Sequence, residues 1–549
     1  MYKAMPSRKR FRTRVIKPFS LGLFVVMLSW SGSQAAEPLR TSVNPGTEQL
    51  HATNVENLNT VVVNGFSFSG NVSLTSAELQ LLLKGYVGQS CDLDKLREAA
   101  ARVSDEYNRR GHPLAKAYIP PQTIAGGIVQ VMVVEGRIGR LIIEGHKNYS
   151  STFIRRYLTG GNETEPMTID RLEKGLMLLN SEFIDLKVTA NFTTGTEPGT
   201  TDIYVKVEDR TPVHVTLTSN NYGSELTSRY RFGAQAEWVN ALIPGGYLMA
   251  GGTIGDQPDN MKVFSGSYEF PINSIGTRIG MSVLDGNFDI GKAFADLGIH
   301  NEETSGDLYI SHPFIKSRMT GLTGKLGIRA ADAKYYLMNE ISKHDNTRVI
   351  YLQVNEDHVS FGGKTFGAFT ISKGLGGALG GTHSDDPLSS RINASNDFTR
   401  FNLDLARFQP VSDTVSALLR VSGQWTGDSL LADEEWLIGG VNSVHGYALG
   451  EASGDRGYNT SLSFRLNPLK NKESLQLATF IDHGYAFKKY VQAGSHQKTE
   501  LTGVGFGVSS HVFTIAPTDL RLDIGFPLHP SSNYAGEKPV LYFETSIRL

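Results

Sequence analysis

The 549-residue chain has a single cysteine, Cys91, so an internal disulfide is excluded. Cys91 is read as a small buried side chain rather than a reactive thiol. Long hydrophobic runs are also lacking. No stretch reaches the roughly 18 to 20 uninterrupted apolar residues that a membrane-spanning helix needs. With 58 glycines, 40% hydrophobic residues and a mean hydropathy of −0.21, the composition is too polar for a helical membrane protein. There is no excess of basic charge: 53 Lys+Arg stand against 55 Asp+Glu, which argues against nucleic acid as the main partner. Catalytic signatures are missing too. No Gly-x-Ser-x-Gly elbow surrounds a serine and no His-Glu-x-x-His pair occurs, so Ser443, His445 and Asp455 do not read as a triad. His445 and His511 are read as lumen or loop residues rather than metal ligands. No catalytic residue, metal or cofactor is expected.

What the chain does have is alternation. Leu541, Phe543, Thr545, Ile547 and Leu549 fall on one side of an extended segment, and Tyr542, Glu544, Ser546 and Arg548 on the other. The same division recurs at Leu520, Leu522, Ile524 and Phe526 against Arg521, Asp523 and Gly525, and at Tyr458 to Leu466 against Asn459 to Asn467. Period two with one apolar and one polar face is the pattern of a transmembrane β-barrel, since in lipid only a closed sheet pairs every backbone group. From Thr211 to Leu549 such segments are predicted near 212–221, 229–239, 246–254, 261–271, 275–284, 304–312, 321–335, 348–358, 363–373, 397–409, 413–424, 458–467, 474–486, 499–511, 517–526 and 538–549. That makes sixteen antiparallel strands with a watery lumen.

The front of the chain fits export. Lys3, Arg8, Lys9, Arg10, Arg12, Arg14 and Lys17 precede an apolar stretch from Phe19 to Trp30, and Ser33-Gln34-Ala35 supplies the small residues a signal peptidase accepts. Residues 1–35 are therefore expected to be a signal peptide. They hold seven of the 53 basic residues and none of the 55 acidic ones, so the rest carries a formal charge of −9. Residues 36–59 read as a polar linker with a possible short plug helix.

Between them and the barrel the pattern is mixed α/β, and it repeats. Phe66 to Asn71 is echoed by Leu141 to His146, Leu93 to Leu96 by Ile169 to Leu172, and Val131 to Glu135 by Ile203 to Glu208, at offsets of about 75 residues. Each unit is predicted as strand, short helix, longer helix, strand, strand, over residues 60–136 and 137–210. In the first, Leu93, Leu96, Ala100, Val103 and Tyr107 recur at helical spacing. A sheet covered on one face by two helices leaves an edge where an extended polypeptide can add as a strand.

One connection, about 425–457, is long and rich in glycine. It contains Gly439-Gly440-Val441-Asn442-Ser443-Val444-His445-Gly446-Tyr447. The next predicted strand but one reads Phe480-Ile481-Asp482-His483-Gly484. With Leu475, Leu477 and Ile481 facing lipid, Phe480, Asp482 and Gly484 face the lumen. Further lumen charges are expected at Arg420, Arg465, Arg521, Arg548, Asp404, Asp523 and Glu544.

At these residues, and at Asn221-Tyr222-Gly223-Ser224 after the first strand, the chain resembles the two-partner secretion transporters, the TpsB branch of the superfamily that joins POTRA domains to a sixteen-stranded outer-membrane barrel. The resemblance covers nearly the whole chain after the signal peptide. It implies that the sixth extracellular loop folds into the barrel, where Val444, His445, Gly446 and Tyr447 form the tip and meet Asp482, flanked by Phe480 and Gly484. It also implies an outer-membrane location with POTRA domains in the periplasm. The implied partners are a large secreted β-helical exoprotein, outer-membrane lipid, and periplasmic chaperones and barrel-assembly machinery during biogenesis. Two departures stand out. His445 occupies a position where the family has arginine, which predicts a weaker and more pH-sensitive contact, because imidazole offers two separated donors and no permanent charge. An alternative pairs Asp482 with a lumen arginine such as Arg465. The last residue is Leu549 rather than an aromatic. Rival readings are a barrel-assembly insertase, which typically has more POTRA repeats, and a solute porin, which lacks a repeated α/β region.

Overall fold

The computed structural model describes residues 60–112, 115–160, 169–197, 200–469, 474–491, 496–513, 516–529 and 538–549. The expected signal peptide, and the linker with its possible plug helix, lie outside the described residues. Among the described residues, those up to Arg210 and those from Thr211 onward form separate compact units.

The first unit holds two lobes of like build. In the first lobe β1 (Val61–Val62) and β3 (Ser90–Cys91) pair briefly. A three-stranded sheet is built from β2 (Gly65–Ser69), β4 (Lys116–Tyr118) and β5 (Ile128–Val134), with β5 central. Two helices cover one face. Helix α1 (Ser76–Leu82) starts at a capping box between Thr75 and Glu78, and α2 (Leu93–Arg109) starts where the Asp92 carboxylate accepts from Lys95 N at 2.8 Å. Leu96, Ala99, Ala100, Val103 and Tyr107 form the buried stripe of α2. Leu93, assigned by spacing to that stripe, is instead exposed, because it is the first residue past the cap and precedes the part of the helix that meets the sheet. The second lobe repeats this plan with β6 (Arg137–Glu144), α3 (Ser151–Thr159), α4 (Ile169–Glu182), β7 (Leu186–Thr194) and a central β8 (Thr200–Asp209).

The repeat extends to single atoms. Gly70 and Gly145 each follow the first sheet strand with φ of +79° and +87°, and a Cβ on either would fall about 2 Å from the carbonyl oxygen of Val133 or Val207. In both lobes only glycine fits there. Just beyond, Glu135 accepts hydrogen bonds from Val72 N (2.8 Å) and Ser73 N (2.7 Å), and Asp209 accepts from Lys147 N (2.6 Å) and Asn148 N (2.5 Å). A carboxylate at the end of the last strand thus ties down the loop after the first strand in each lobe.

The second unit is a closed antiparallel barrel of sixteen strands. In chain order these are β9 (Val213–Asn220), β10 (Arg231–Val239), β11 (Tyr247–Gly255), β12 (Met261–Pro271), β13 (Arg278–Asp289), β14 (His300–Lys316), β15 (Thr320–Leu337), β16 (Glu340–Ser360), β17 (Gly363–Gly374), β18 (Thr399–Pro410) and β19 (Val415–Thr426). A loop then carries the short hairpin β20 (Trp436–Ile438) and β21 (Ala452–Gly454). The barrel resumes with β22 (Arg456–Leu466), β23 (Leu475–Phe487), β24 (Lys498–Phe513), β25 (Pro517–Pro527) and β26 (Val540–Arg548). Neighbours in sequence pair, and β26 closes on β9 from Glu544↔Asn220 to Arg548↔Thr216. Asn221 lengthens this short seam: its side chain donates to Leu541 O (2.8 Å) and accepts from Phe543 N (2.8 Å).

The outer face is apolar. Val283 (65% exposed), Phe506 (62%) and Phe264 (55%) would be costly in water, and they sit on the same face as Ile328, Leu403, Phe464 and Ile481. Inward positions carry Glu237, Asn402, Gln424, Ser461, Ser463, Asp482 and Asp523, all buried. Each of the sixteen strands lies where alternation places it, but β13, β14 and β16 run further than the apolar pattern reaches. The added residues of β16 include Lys343, His344 and Asp345, whose polarity on successive positions hides the strand from any search for alternating hydrophobicity.

Burial pushes the Glu135 carboxyl up, but the hydrogen bonds from Ser73, Tyr107 and Val72 outweigh it and hold the group below its ordinary range. A carboxylate with a lowered folded-state pKa stabilises above the unfolded value, about 4.3 for glutamate, and that contribution is lost as pH falls through the folded value. Glu135→Gln is therefore expected to weaken the lobe by about 1–3 kcal/mol at pH 7. Hydrogen exchange at Val72 and Ser73 in the full-length chain checks this: exchange quickens in the variant at pH 7, and the difference from wild type shrinks on acidification.

Candidate functional site

The loop between β19 and β22 turns into the lumen. Its hairpin lays Trp436 and Ile438 together with Val444 and Tyr447 against Ala486 and Leu501 of the wall, and all six are buried. Burying each large apolar side chain contributes about 1.5–3 kcal/mol, enough for a small apolar core to hold inside an otherwise polar barrel.

At the tip, His445 is 2% exposed and Asp482 1%. The His445 ring meets Asp482 through Nδ1···Oδ2 at 2.5 Å, and the His445 amide donates to the same oxygen at 3.2 Å. The alternative of a lumen arginine is met only in part: the Asp482 hydrogen bonds come from His445 and Ser461, while Arg420 rather than Arg465 interacts with the carboxylate electrostatically. The far ring nitrogen, Nε2, lies 3.8 Å from Asp523 Oδ2, and Arg521 Nε holds that oxygen at 2.6 Å. Phe480 lies tilted against the ring at 4.2 Å between centroids, and Tyr542 stands edge-on at 5.4 Å. Tyr542 Oη accepts from Gly446 N (3.0 Å) and donates to Tyr447 O (2.9 Å). Tyr447 Oη in turn donates to Thr502 O at 3.0 Å and lies 2.9 Å from His529 O.

Close approach is possible because the wall is stripped of side chains there. A Cβ on Gly503 would fall 2.0 Å from His445 O, one on Gly525 2.5 Å from Gly446 N, and one on Gly484 2.8 Å from Val444 Cγ2. Gly446 itself has φ +92° against Pro527, a conformation that favours glycine. Sequence reading had singled out Gly484; Gly503 and Gly525 come to light only through the register of β23, β24 and β25.

The root of the loop is held by charge. Glu434, 1% exposed, takes both Arg329 of β15 and Arg400 of β18. Asp433 accepts from Thr347 Oγ1 at 2.9 Å. Arg391, from the 375–398 connection, reaches Asp455 at 2.7 Å, Glu435 at 3.1 Å and Leu430 O at 2.6 Å. Of these residues the sequence analysis named only Asp455, and only to set it aside as a triad member. The signal was there in Asp433-Glu434-Glu435, three acids in a row inside a loop bound for the lumen, which require cations on the wall.

The remaining sequence candidates divide. Arg420 and Arg465 both interact electrostatically with Arg521 and Asp523, so they gather under the tip. Glu544 neighbours Arg521 and Tyr222. Arg548 pairs instead with Glu237 across the seam at 3.2 Å, and Asp404 lies inward on β18.

The buried ring meets Asp482 through one nitrogen and faces Asp523 with the other. A guanidinium offers a planar fork of donors in place of two separated ones, so His445→Arg is expected to hold the tip more firmly and to lower open-channel noise in planar-bilayer recordings. Asp482→Ala removes one partner of a buried pair, a loss of about 3–5 kcal/mol, and is expected to raise that noise.

Comparisons with known proteins agree with this architecture. The family model of the haemolysin secretion/activation protein ShlB/FhaC/HecB matches residues 199–510, and that of the ShlB-type POTRA domain matches 61–136. The heme/hemopexin transporter protein HuxB of Haemophilus influenzae is 24% identical over 456 residues, covering 80% of this chain and 79% of its own. The outer membrane transporter CdiB of Dickeya dadantii is 21% identical over 481 residues, covering 84% and 82%. The solved structure of CdiB from Escherichia coli superposes with a TM-score of 0.76 at 18% identity, over 92% of this chain and 93% of that one, which supports the fold. The chain belongs to the ShlB/FhaC/HecB family of two-partner secretion transporters, outer-membrane proteins whose POTRA domains lie in the periplasm.

Proposed function

We propose that this transporter carries a large β-helix-forming exoprotein to the cell surface, receiving it unfolded on two POTRA modules and threading it past the loop tip latched at Asp482. The second module, residues 137–210, rests on the atomic repeat: Gly145 and Asp209 do in that lobe what Gly70 and Glu135 do in the first. Among the described residues both sheets end in strands with one unpaired side, β2 and β4 in one lobe and β6 and β7 in the other. A secretion domain can add to such an edge through main-chain hydrogen bonds, which suit a partner recognised for extended backbone more than for particular side chains.

The observation that carries this reading is the loop tip seated on Asp482, Phe480 and Gly484 within a closed sixteen-stranded barrel. No nucleotide is needed, and none is available in the periplasm. Folding on the outside supplies direction, because a folded product cannot slip back. The lumen contributes charges of both signs and few apolar surfaces to which a passing chain would stick. Enzymatic activity has no place in this scheme. Lipid surrounds the barrel, and chaperones with the barrel-assembly machinery act only during its biogenesis.

Deleting the gene is expected to remove one large protein from the culture medium, and wild-type expression to restore it. If the medium is unchanged while the amounts of other outer-membrane barrels fall, the chain is an insertase. Loss of small-solute uptake alone would make it a porin.

A further inference from the structure

The loop is fastened to one part of the ring. Its hydrogen bonds and ion pairs reach Arg329, Thr347, Arg400 and Gln424 at the root and Asp482, Thr502 and Tyr542 at the tip, which places them on β15, β16, β18, β19, β23, β24 and β26. Counting round the sixteen strands, β14 is the one opposite β24. On that side a cavity of about 150 Å³ is lined by four serines, Ser265 and Ser267 of β12, Ser282 of β13 and Ser305 of β14, with Met249 and Leu284 among them, and it is bounded by Arg329, the β15 residue that also holds the loop root.

The chemistry of that sector is distinctive. Four serines on three adjacent strands present short hydroxyls, each able to donate and to accept. Such groups can pair in turn with successive amides of an extended backbone, and each bond is worth only about 1 kcal/mol net, so none traps the chain. Larger side chains nearer the rim of short turns are already joined to one another. Tyr309 donates to Glu269 at 2.6 Å, Tyr351 donates to Asp307 at 2.9 Å, and Lys325 Nζ stands 3.4 Å above the Tyr309 ring. The two tyrosine rings lie over Gly280 and Gly327, where any Cβ would clash with them.

We propose that an extended polypeptide passes along this serine-lined inner face of β12–β14, across the lumen from the loop tip, so that passage does not require His445 to leave Asp482. The proposal rests on the transport reading and names the part of the lumen that serves it. It recognises backbone rather than sequence, in keeping with a track that must accept every segment of a long partner.

The test uses the full-length chain with Cys91→Ser, so that each introduced thiol is the only one. Single variants Ser267→Cys, Ser282→Cys and Ser305→Cys are compared with Ser461→Cys and Ser463→Cys on β22, which face inward beside the tip. Reconstituted in planar lipid bilayers, each is treated with a trimethylammonium methanethiosulfonate. The added positive group is expected to cut conductance at least twofold at 267, 282 and 305 and to leave 461 and 463 within 10%. As a second probe, a 30-residue unstructured Gly/Ser/Asn peptide carrying a terminal bromoacetyl group should alkylate the first three thiols and spare the other two. Block and alkylation at 461 and 463 with silence at 267, 282 and 305 overturns the proposal while leaving the transport reading intact. Channels absent from every variant and from wild type overturn the transport reading, and this inference with it.

Discussion

The structure depends on one constraint: in hydrocarbon, every backbone N–H and C=O must find a partner within the protein. The sheet satisfies it by closing on itself, and closure is completed by a seam of five residue pairs between β26 and β9. Asn221 extends that seam with two side-chain hydrogen bonds that imitate a further strand residue, and Leu549 exchanges both backbone bonds with Val215 at its other end. Once the ring is closed, period two follows along every strand, apolar outward and polar inward. The interior is then necessarily a place where charges collect. Charges in a confined space need partners, and many of those partners come from the loop.

The loop is therefore as much a part of the lumen chemistry as the wall is. Its root brings Glu434 to Arg329 and Arg400, Glu435 to Arg391 and Asp433 to Thr347, and its tip brings His445 to Asp482. These two attachments differ in kind. At the root, buried acids meet guanidinium groups that stay charged at any physiological pH. At the tip, a single imidazole is wedged between Asp482, Asp523 and two aromatic rings over a bed of glycines.

Much of this was legible in the amino-acid sequence, and the reasons are local. Alternation such as Leu541 to Leu549 reports a strand and its two faces at once, so all sixteen strands could be placed before their pairing was known. The tandem lobes were visible because Gly70 and Gly145 sit at the same step of two like patterns. Phe480-Ile481-Asp482-His483-Gly484 showed which carboxylate points inward. What escaped were pairings between residues far apart in the chain. Arg329 and Glu434 are separated by 105 positions, and no periodicity links them. Gly503 and Gly525 looked like ordinary small strand residues until register set them beside Gly484 under the tip. The outer ends of β13, β14 and β16 were hidden for another reason: beyond the hydrocarbon, polar residues succeed one another and alternation stops.

The central claim is that the loop lies inside the closed ring with Val444 against Gly484. Its most direct test is disulfide trapping in the full-length chain with Cys91→Ser, using Val444→Cys with Gly484→Cys. Leu437→Cys with Ser453→Cys, which are paired within the loop's own hairpin, serves as the reference. The account predicts that both pairs oxidise readily and that the 444–484 bond joins loop to wall, seen as a mobility shift reversed by reductant. If the hairpin pair closes while thiols at 444 and 484 stay free and react with a membrane-impermeant maleimide from outside, the loop is not lodged in the barrel and the account is contradicted.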